Sequence, residues 1–134
     1  QQFSSSTFEG TARNEAAIAA GSAVQSDAVE TAFQNRQSGL FLEVDGTIAR
    51  VLSDDTKPPR HQRFIVELDS GQTVLVAHNI DLADRIDAIE VGGAIRLYGE
   101  YEWNDKGGVL HWTHHDPKGL IDGGWIDYDG VRYR

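Results

Sequence analysis

Three of the five histidines, His111, His114 and His115, fall within five residues of one another and run directly into Asp116. Neutral imidazoles together with a carboxylate suit zinc, copper or nickel, and the same groups can serve as general acid and base. The spacing His-x-x-His-His-Asp leads into Pro117. That places the four on a strand end entering a turn, not on a helix. Adjacent side chains on a strand point to opposite faces, so at most two of the three histidines share a face unless the strand breaks at His115. The competing reading is that these histidines hydrogen-bond backbone at the strand end while Asp116 opens an Asp-Pro turn.

Two further constellations have the residue types for binding. Glu100 and Glu102 stand at i and i+2 near Tyr98, Trp112 and His114. Such a pair can hold a cation or work as acid and base, although a solvated outer sheet face has the same composition. The segment Lys57-Pro58-Pro59-Arg60-His61-Gln62-Arg63 is the only basic cluster in the chain. With His78, its Arg60, His61 and Arg63 are candidates for an anion or phosphate site. Against that stands a solvated loop with Arg63 paired to an acid. No Gly-rich phosphate loop, nucleophile elbow or His-Glu-x-x-His is present, and no basic stripe is interleaved with aromatics.

The elements that must position these residues follow from periodicity and turn residues. Residues 1–25 are rich in Ser, Ala, Gly and Gln and read as a flexible arm, with a short helix over 14–20 capped by Asn14. Residues 26–134 read as one β-rich domain. Asp27 and Glu30 have capping-box spacing, Val29, Ala32, Phe33 and Arg36 form a helical stripe, and Gly39 is the expected stop. Leu40–Leu52 reads as a long strand with a bulge or bend at Asp45-Gly46. Gln62–Leu68 and Thr73–His78 form a hairpin. Leu82, Ile86 and Ile89 predict a short helix over 81–89. Ala94–Trp103 and Val109–His114 form a second hairpin, and Trp125–Tyr133 a small third one around Asp129-Gly130. Five strands with a helix between the third and fourth is the order of an OB-fold barrel, with an open five-stranded roll as competitor.

Register fixes which side chains meet. Pairing Leu68 with Thr73 sets Arg63 opposite His78 and makes His61 its diagonal neighbour, roughly 7–8 Å away. Pairing Trp103 with Val109 puts His111 on the apolar face with Tyr101, and Glu100, Glu102, Trp112 and His114 on the other. His111→Ala is then expected to destabilise. A one-residue slip would exchange these faces.

Composition limits the partners. The 134 residues, 40% hydrophobic and 25% charged, describe an ordinary globular chain. No apolar run approaches the ~20 residues of a membrane span. Twelve Lys and Arg against 21 Asp and Glu give a net charge of −9. General nucleic-acid binding is therefore disfavoured and cationic partners are favoured. With no cysteine there is neither a disulfide framework nor a thiolate zinc site. The first residues, Gln-Gln-Phe-Ser without Met, favour an exported, secreted or periplasmic protein.

The segments Arg60–Val66, Ala77–Ala83, Tyr98–Asn104 and His111–Pro117, with Gly124-Trp125-Ile126 after them, resemble a family of bacterial proteins, domain of unknown function 3465. The resemblance spans Gly39 to Tyr133. It implies small, often exported proteins without a settled activity, and a pattern that includes His61, His78, Glu100, Glu102, His111, His114, His115 and Asp116. The order of elements also looks like that of staphylococcal-type nucleases, OB folds that use calcium and arginines; their catalytic pattern is not matched residue by residue.

The leading expectation is an OB-fold binding module whose ligand surface combines Arg60, His61, Arg63, His78, Tyr98, Glu100 and Trp112. An alternative is a metal-dependent phosphodiesterase or nuclease using the histidine cluster. In it, His111, His114, His115 and Asp116 would hold a divalent transition metal such as zinc. A third is a structural or partner-binding domain.

Overall fold

The structure of the protein, a computed structural model, describes residues 21–134, with side chains from residue 27 onward. The expected helix over 14–20 and most of the expected arm lie outside the described residues. Helix α1 runs Gly21–Gln34 and is followed by seven strands: β1 Leu40–Val51, β2 His61–Glu67, β3 Thr73–Asn79, β4 Ala94–Glu102, β5 Val109–His111, β6 Trp125–Tyr128 and β7 Val131–Tyr133. Helix α1 is already formed six residues before Asp27, so Asp27 and Glu30 lie inside it and form no capping box. It ends at Gln34 and is closed by Arg36, not Gly39. Arg36 adopts φ 55°, Gln37 N donates to Ala32 O and Arg36 N to Phe33 O, which is a Schellman closure with a non-glycine residue in the left-handed position. The expected stripe is real: Val29 and Ala32 are buried and Phe33 packs against the same core.

The sheet order β1-β2-β3-β5-β4, closed by β4 pairing back to β1, makes a five-stranded barrel of the OB type. Strand β3 pairs with β5 in parallel and every other pairing is antiparallel. Strand β1 serves two neighbours, β4 through Leu40–Thr47 and β2 through Thr47–Val51. The register shift lies between Ile48 and Arg50, not at Asp45-Gly46. Gly46 is instead a close approach: a Cβ there would meet Val66 Cγ1 and stand 2.6 Å from Glu67 O. Val44, Ile48, Phe64, Val66, Val74, Val76, Leu97, Tyr101 and Leu110 fill the barrel. Strands β6 and β7 form the expected terminal hairpin on β4, turning at Asp129 and Gly130 with φ 51° and 79°, the signature of a type I′ turn.

Residues 80–93 are a succession of turns, and the short helix expected over 81–89 is absent. Its backbone groups are engaged elsewhere. Gln62 Oε1 accepts from Ile86 N and Gln62 Nε2 donates to Ile86 O, both at 2.9 Å. His78 Nε2 donates to Asp84 O at 3.0 Å. Each bond takes a peptide group that a helical ladder would need.

Candidate functional site

Both hairpin registers differ by one residue from the expected ones. In the first, Gln62 faces His78 and Arg63 faces Ala77. The loop closes at Leu68 and Gln72, with Gly71 at φ 90°, a three-residue turn with a left-handed glycine where a four-residue loop was expected. In the second, Glu100 faces His111, Tyr101 faces Leu110 and Glu102 faces Val109. There, Asn104 Oδ1 accepts from Lys106 N and Gly108 N, and Gly107 and Gly108 take φ 118° and 95°. Leu110 therefore enters the core and His111 joins Glu100 and Glu102 outside, the reverse of the expected faces for β5.

The expected ligand set divides into three groups. Arg60 donates from N and Nε to Asp81, and Arg63 Nε donates to Ser53 O at 3.1 Å. The Arg60 bonds, backbone first, hold the Asp81 carboxyl below its usual range. His61 and Arg63 project from the outer side of β2, while Gln62 and His78 point into the barrel. In the closed barrel β2 and β4 are separated by β1 on one side and by β3 and β5 on the other, so the basic group and the β4 residues Tyr98 and Glu100 lie on different strands of the wall, while His61 is near enough to His114 to help lower its pKa.

His78 is an interior residue with both ring nitrogens engaged. Asp84 O can only accept, so Nε2 carries the proton, and Nδ1 accepts from Thr113 Oγ1 at 2.8 Å. Burial pushes its pKa down, with smaller contributions from His114 and His61.

Of the four residues expected to hold a metal, His114 and His115 meet edge to face with ring centroids 6.3 Å apart, but among the described residues the four do not bring three ligand atoms together. The chain leaves β5 after His111, and Trp112 adopts φ 54°. His114 is buried, stacks on Trp112 with ring centroids 5.8 Å apart, and donates Nδ1 to His115 O. Burial lowers its pKa. His115 is exposed. Asp116 accepts from the backbone N of Lys118, Leu120 and Ile121, and these bonds hold its carboxyl below the usual range.

What does converge is the outer face of β1, β4, β5 and β6. Across one row lie Phe41, Glu100 and His111; across the next, Glu43, Tyr98 and Trp125; then Asp45, Arg96 and Asp127. Aromatic rings run across these rows. Trp125 stacks on Tyr98 at 6.1 Å, Tyr98 meets Phe41 at 5.5 Å, and Phe41 meets Trp112 edge-on at 6.1 Å. All four are half-buried. Arg132 lies 3.9 Å above the Trp125 ring and pairs with Asp127 at 2.7 Å. A cleft of about 520 Å³, lined by Glu43, Tyr98, Asp122, Trp125 and Arg132 among others, opens at that end. At the other end a more apolar cleft of about 540 Å³ is bounded by Trp112, His114, Leu82, Leu120 and Ile121 among others.

Within this face His111 Nε2 stands 3.4 Å from Glu100 Oε1 and 3.5 Å from Glu102 Oε2. Among the described residues these three form a group able to hold a metal ion, one ligand atom from each lying within 4.8 Å of the others. The sequence reading missed Phe41 and Trp125. A signal existed for Phe41: in Leu40–Asp45 it alternates with Leu42 and Val44, an aromatic on the strand's polar side with Glu43 and Asp45.

No helix among the described residues is long and apolar enough to cross a membrane. No curated protein matches the chain. Residues 15–134 match the family described as Protein of unknown function (DUF3465), extending the resemblance of the barrel back across α1, and the chain belongs to that family.

Proposed function

We propose that this domain is a binding module whose ligand, a cationic extended segment bearing arginine or lysine, lies on the outer aromatic and acidic face of β1, β4 and β6. The observation that carries this reading is Arg132. It stacks on Trp125 while its guanidinium pairs with Asp127, so one end of the aromatic row already holds a cation between a ring and a carboxylate. The next positions along the row, Tyr98, Phe41 and Trp112 beside Glu100 and Glu102, repeat that chemistry. Cations over aromatic faces gain ~0.5–2 kcal/mol, more as water is excluded, and a net charge of −9 draws such a partner in. Export belongs to this proposal, with cell fractionation of the full-length protein as its check. The hydrolase reading has less support, because the imidazoles it relied on do not share a site.

Titration calorimetry with an octa-arginine peptide at low ionic strength tests the reading. Any protein of this charge attracts polycations, so the variants decide. Tyr98→Ala and Phe41→Ala, each confirmed folded by its melting curve, should weaken binding by about tenfold each, as expected for ~1–1.5 kcal/mol per aromatic contact. Equal affinity in the variants and the parent protein would reduce the attraction to net charge and overturn the proposal.

A further inference from the structure

We propose that Glu100, Glu102 and His111 bind a divalent transition-metal ion on the outer face of the barrel. The three are brought together by strand geometry alone. Glu100 and Glu102 share a face at i and i+2, and His111 lies directly across from Glu100 in the antiparallel pair. Gly99 permits that closeness: a Cβ there would stand 2.6 Å from His111 O and 2.9 Å from Thr113 Cγ2. The histidine is thus held against the two carboxylates by the backbone of β5.

The distances fit a shared ion better than a hydrogen bond. Ligands ~2.1 Å from a tetrahedral metal stand about 3.4 Å from one another, and the two observed separations from Nε2 are 3.4 and 3.5 Å. An imidazolium donating to a carboxylate would close to about 2.7–2.9 Å. Nε2 is shut off from solvent and has no hydrogen-bond partner. Among the described residues, only Trp112 Nε1, on the next residue, is in the same condition. Buried side-chain nitrogens almost always find a partner, so this one is an acceptor or donor awaiting a ligand.

The charge balance points the same way. Neither Glu100 nor Glu102 is paired with a lysine or arginine among the described residues; Arg96, on the same strand, is taken by Asp45. Two carboxylates and a neutral imidazole sum to −2, which a divalent ion cancels. One imidazole with two carboxylates suits borderline zinc, or among the harder ions manganese, over calcium, which takes oxygen ligands. Three protein ligands leave a further position open to water.

The test is calorimetric titration of the chelator-treated protein with zinc, manganese and calcium, each alone and with no peptide present. That keeps its outcome separate from the peptide-binding proposal. We expect one zinc or manganese ion per chain. Glu102→Gln and His111→Gln should remove the binding, while His115→Gln keeps it. A cobalt-substituted sample should show a ligand-field spectrum that His111→Gln abolishes. Calcium as the sole binder, no stoichiometric ion at all, or zinc binding that survives both His111→Gln and Glu102→Gln would each overturn the site.

Discussion

Two regions of this barrel carry histidine among other polar groups, and they differ in whether those groups are satisfied. Inside, Gln62, His78 and Thr113 are buried, and their side chains spend their hydrogen bonds on each other and on the backbone of residues 84–86. Outside, His111 is more exposed, yet its Nε2 is enclosed without a partner between two carboxylates. A satisfied buried network specifies structure. A set of like-charged groups gathered around an unsatisfied nitrogen does nothing for the fold. The interior cluster holds residues 80–93 on the barrel, and the exterior one is the proposed ligand site.

That assignment can be broken at its strongest point by Gln62→Leu. The variant keeps the volume near the original but strips partners from both Ile86 N and Ile86 O. Two buried backbone groups left unmade cost about 2–5 kcal/mol together, read as a lower denaturant midpoint. A loss below about 1 kcal/mol would mean that the 80–93 segment rearranges freely, and the interior cluster would lose its structural role. Gly99→Ala comes next. Its methyl would press into His111 O and Thr113 Cγ2, and overpacking of that kind costs about 1–3 kcal/mol. Because it also pushes β5 away from Glu100, metal affinity should fall alongside stability.

Acid separates the two regions by a different route. The folded pKa of His78 is depressed below its ordinary value of 6.5 by burial, and that of His114 likewise. Above about pH 6.5 neither form of the chain takes up the proton, and stability is at its full value. Below it, the unfolded chain binds a proton that the folded chain refuses. Stability then falls as pH drops toward the depressed folded values, by up to about 1.4 kcal/mol per pH unit for each group. Urea midpoints at pH 7.5 and pH 5.5 measure the drop, and His78→Gln should remove a large part of it. The aspartates whose pKa values are lowered, such as Asp54 and Asp81, act only at more acid pH.

The strands and their order were legible because they are bounded by turn residues and β2, β3 and β4 alternate along their length. Val74, Val76 and His78 face inward while Leu75 and Ala77 do not, and that period is visible in the letters. Register was not legible. Asp69-Ser70-Gly71-Gln72 is compatible with a three- or a four-residue loop, and only Gly71 at φ 90° settles which. The same ambiguity at Asn104–Gly108 exchanged the faces of β5. A slip of one residue is small in sequence and total in consequence: it moved His111 from the core to the acidic face and put His61 and His78 on opposite faces of the sheet. The helix expected over 81–89 failed for another reason. Its periodicity is real, with Ile86 fully buried, but side chains from β2 and β3 take its backbone bonds, and local periodicity contains nothing about them.

The smallest expected effect is the most informative about the exterior cluster. With the observed register, His111→Ala removes a partly exposed side chain from a face where it fills no core space. In metal-free protein the unfolding free energy should stay within the range of about ±0.5 kcal/mol typical of surface changes. A slight gain is even consistent, since the unpartnered Nε2 goes with the ring. Had His111 faced the core beside Tyr101, truncation would cost on the order of 2–5 kcal/mol by cavity formation. With saturating zinc the comparison inverts. The parent protein gains stability in proportion to the logarithm of metal concentration over Kd, about 2.7 kcal/mol at a hundredfold excess, and the variant gains nothing. A variant that melts early without metal would return His111 to the core. One that melts normally and yet responds to zinc like the parent would leave the fold as described and remove His111 from the site.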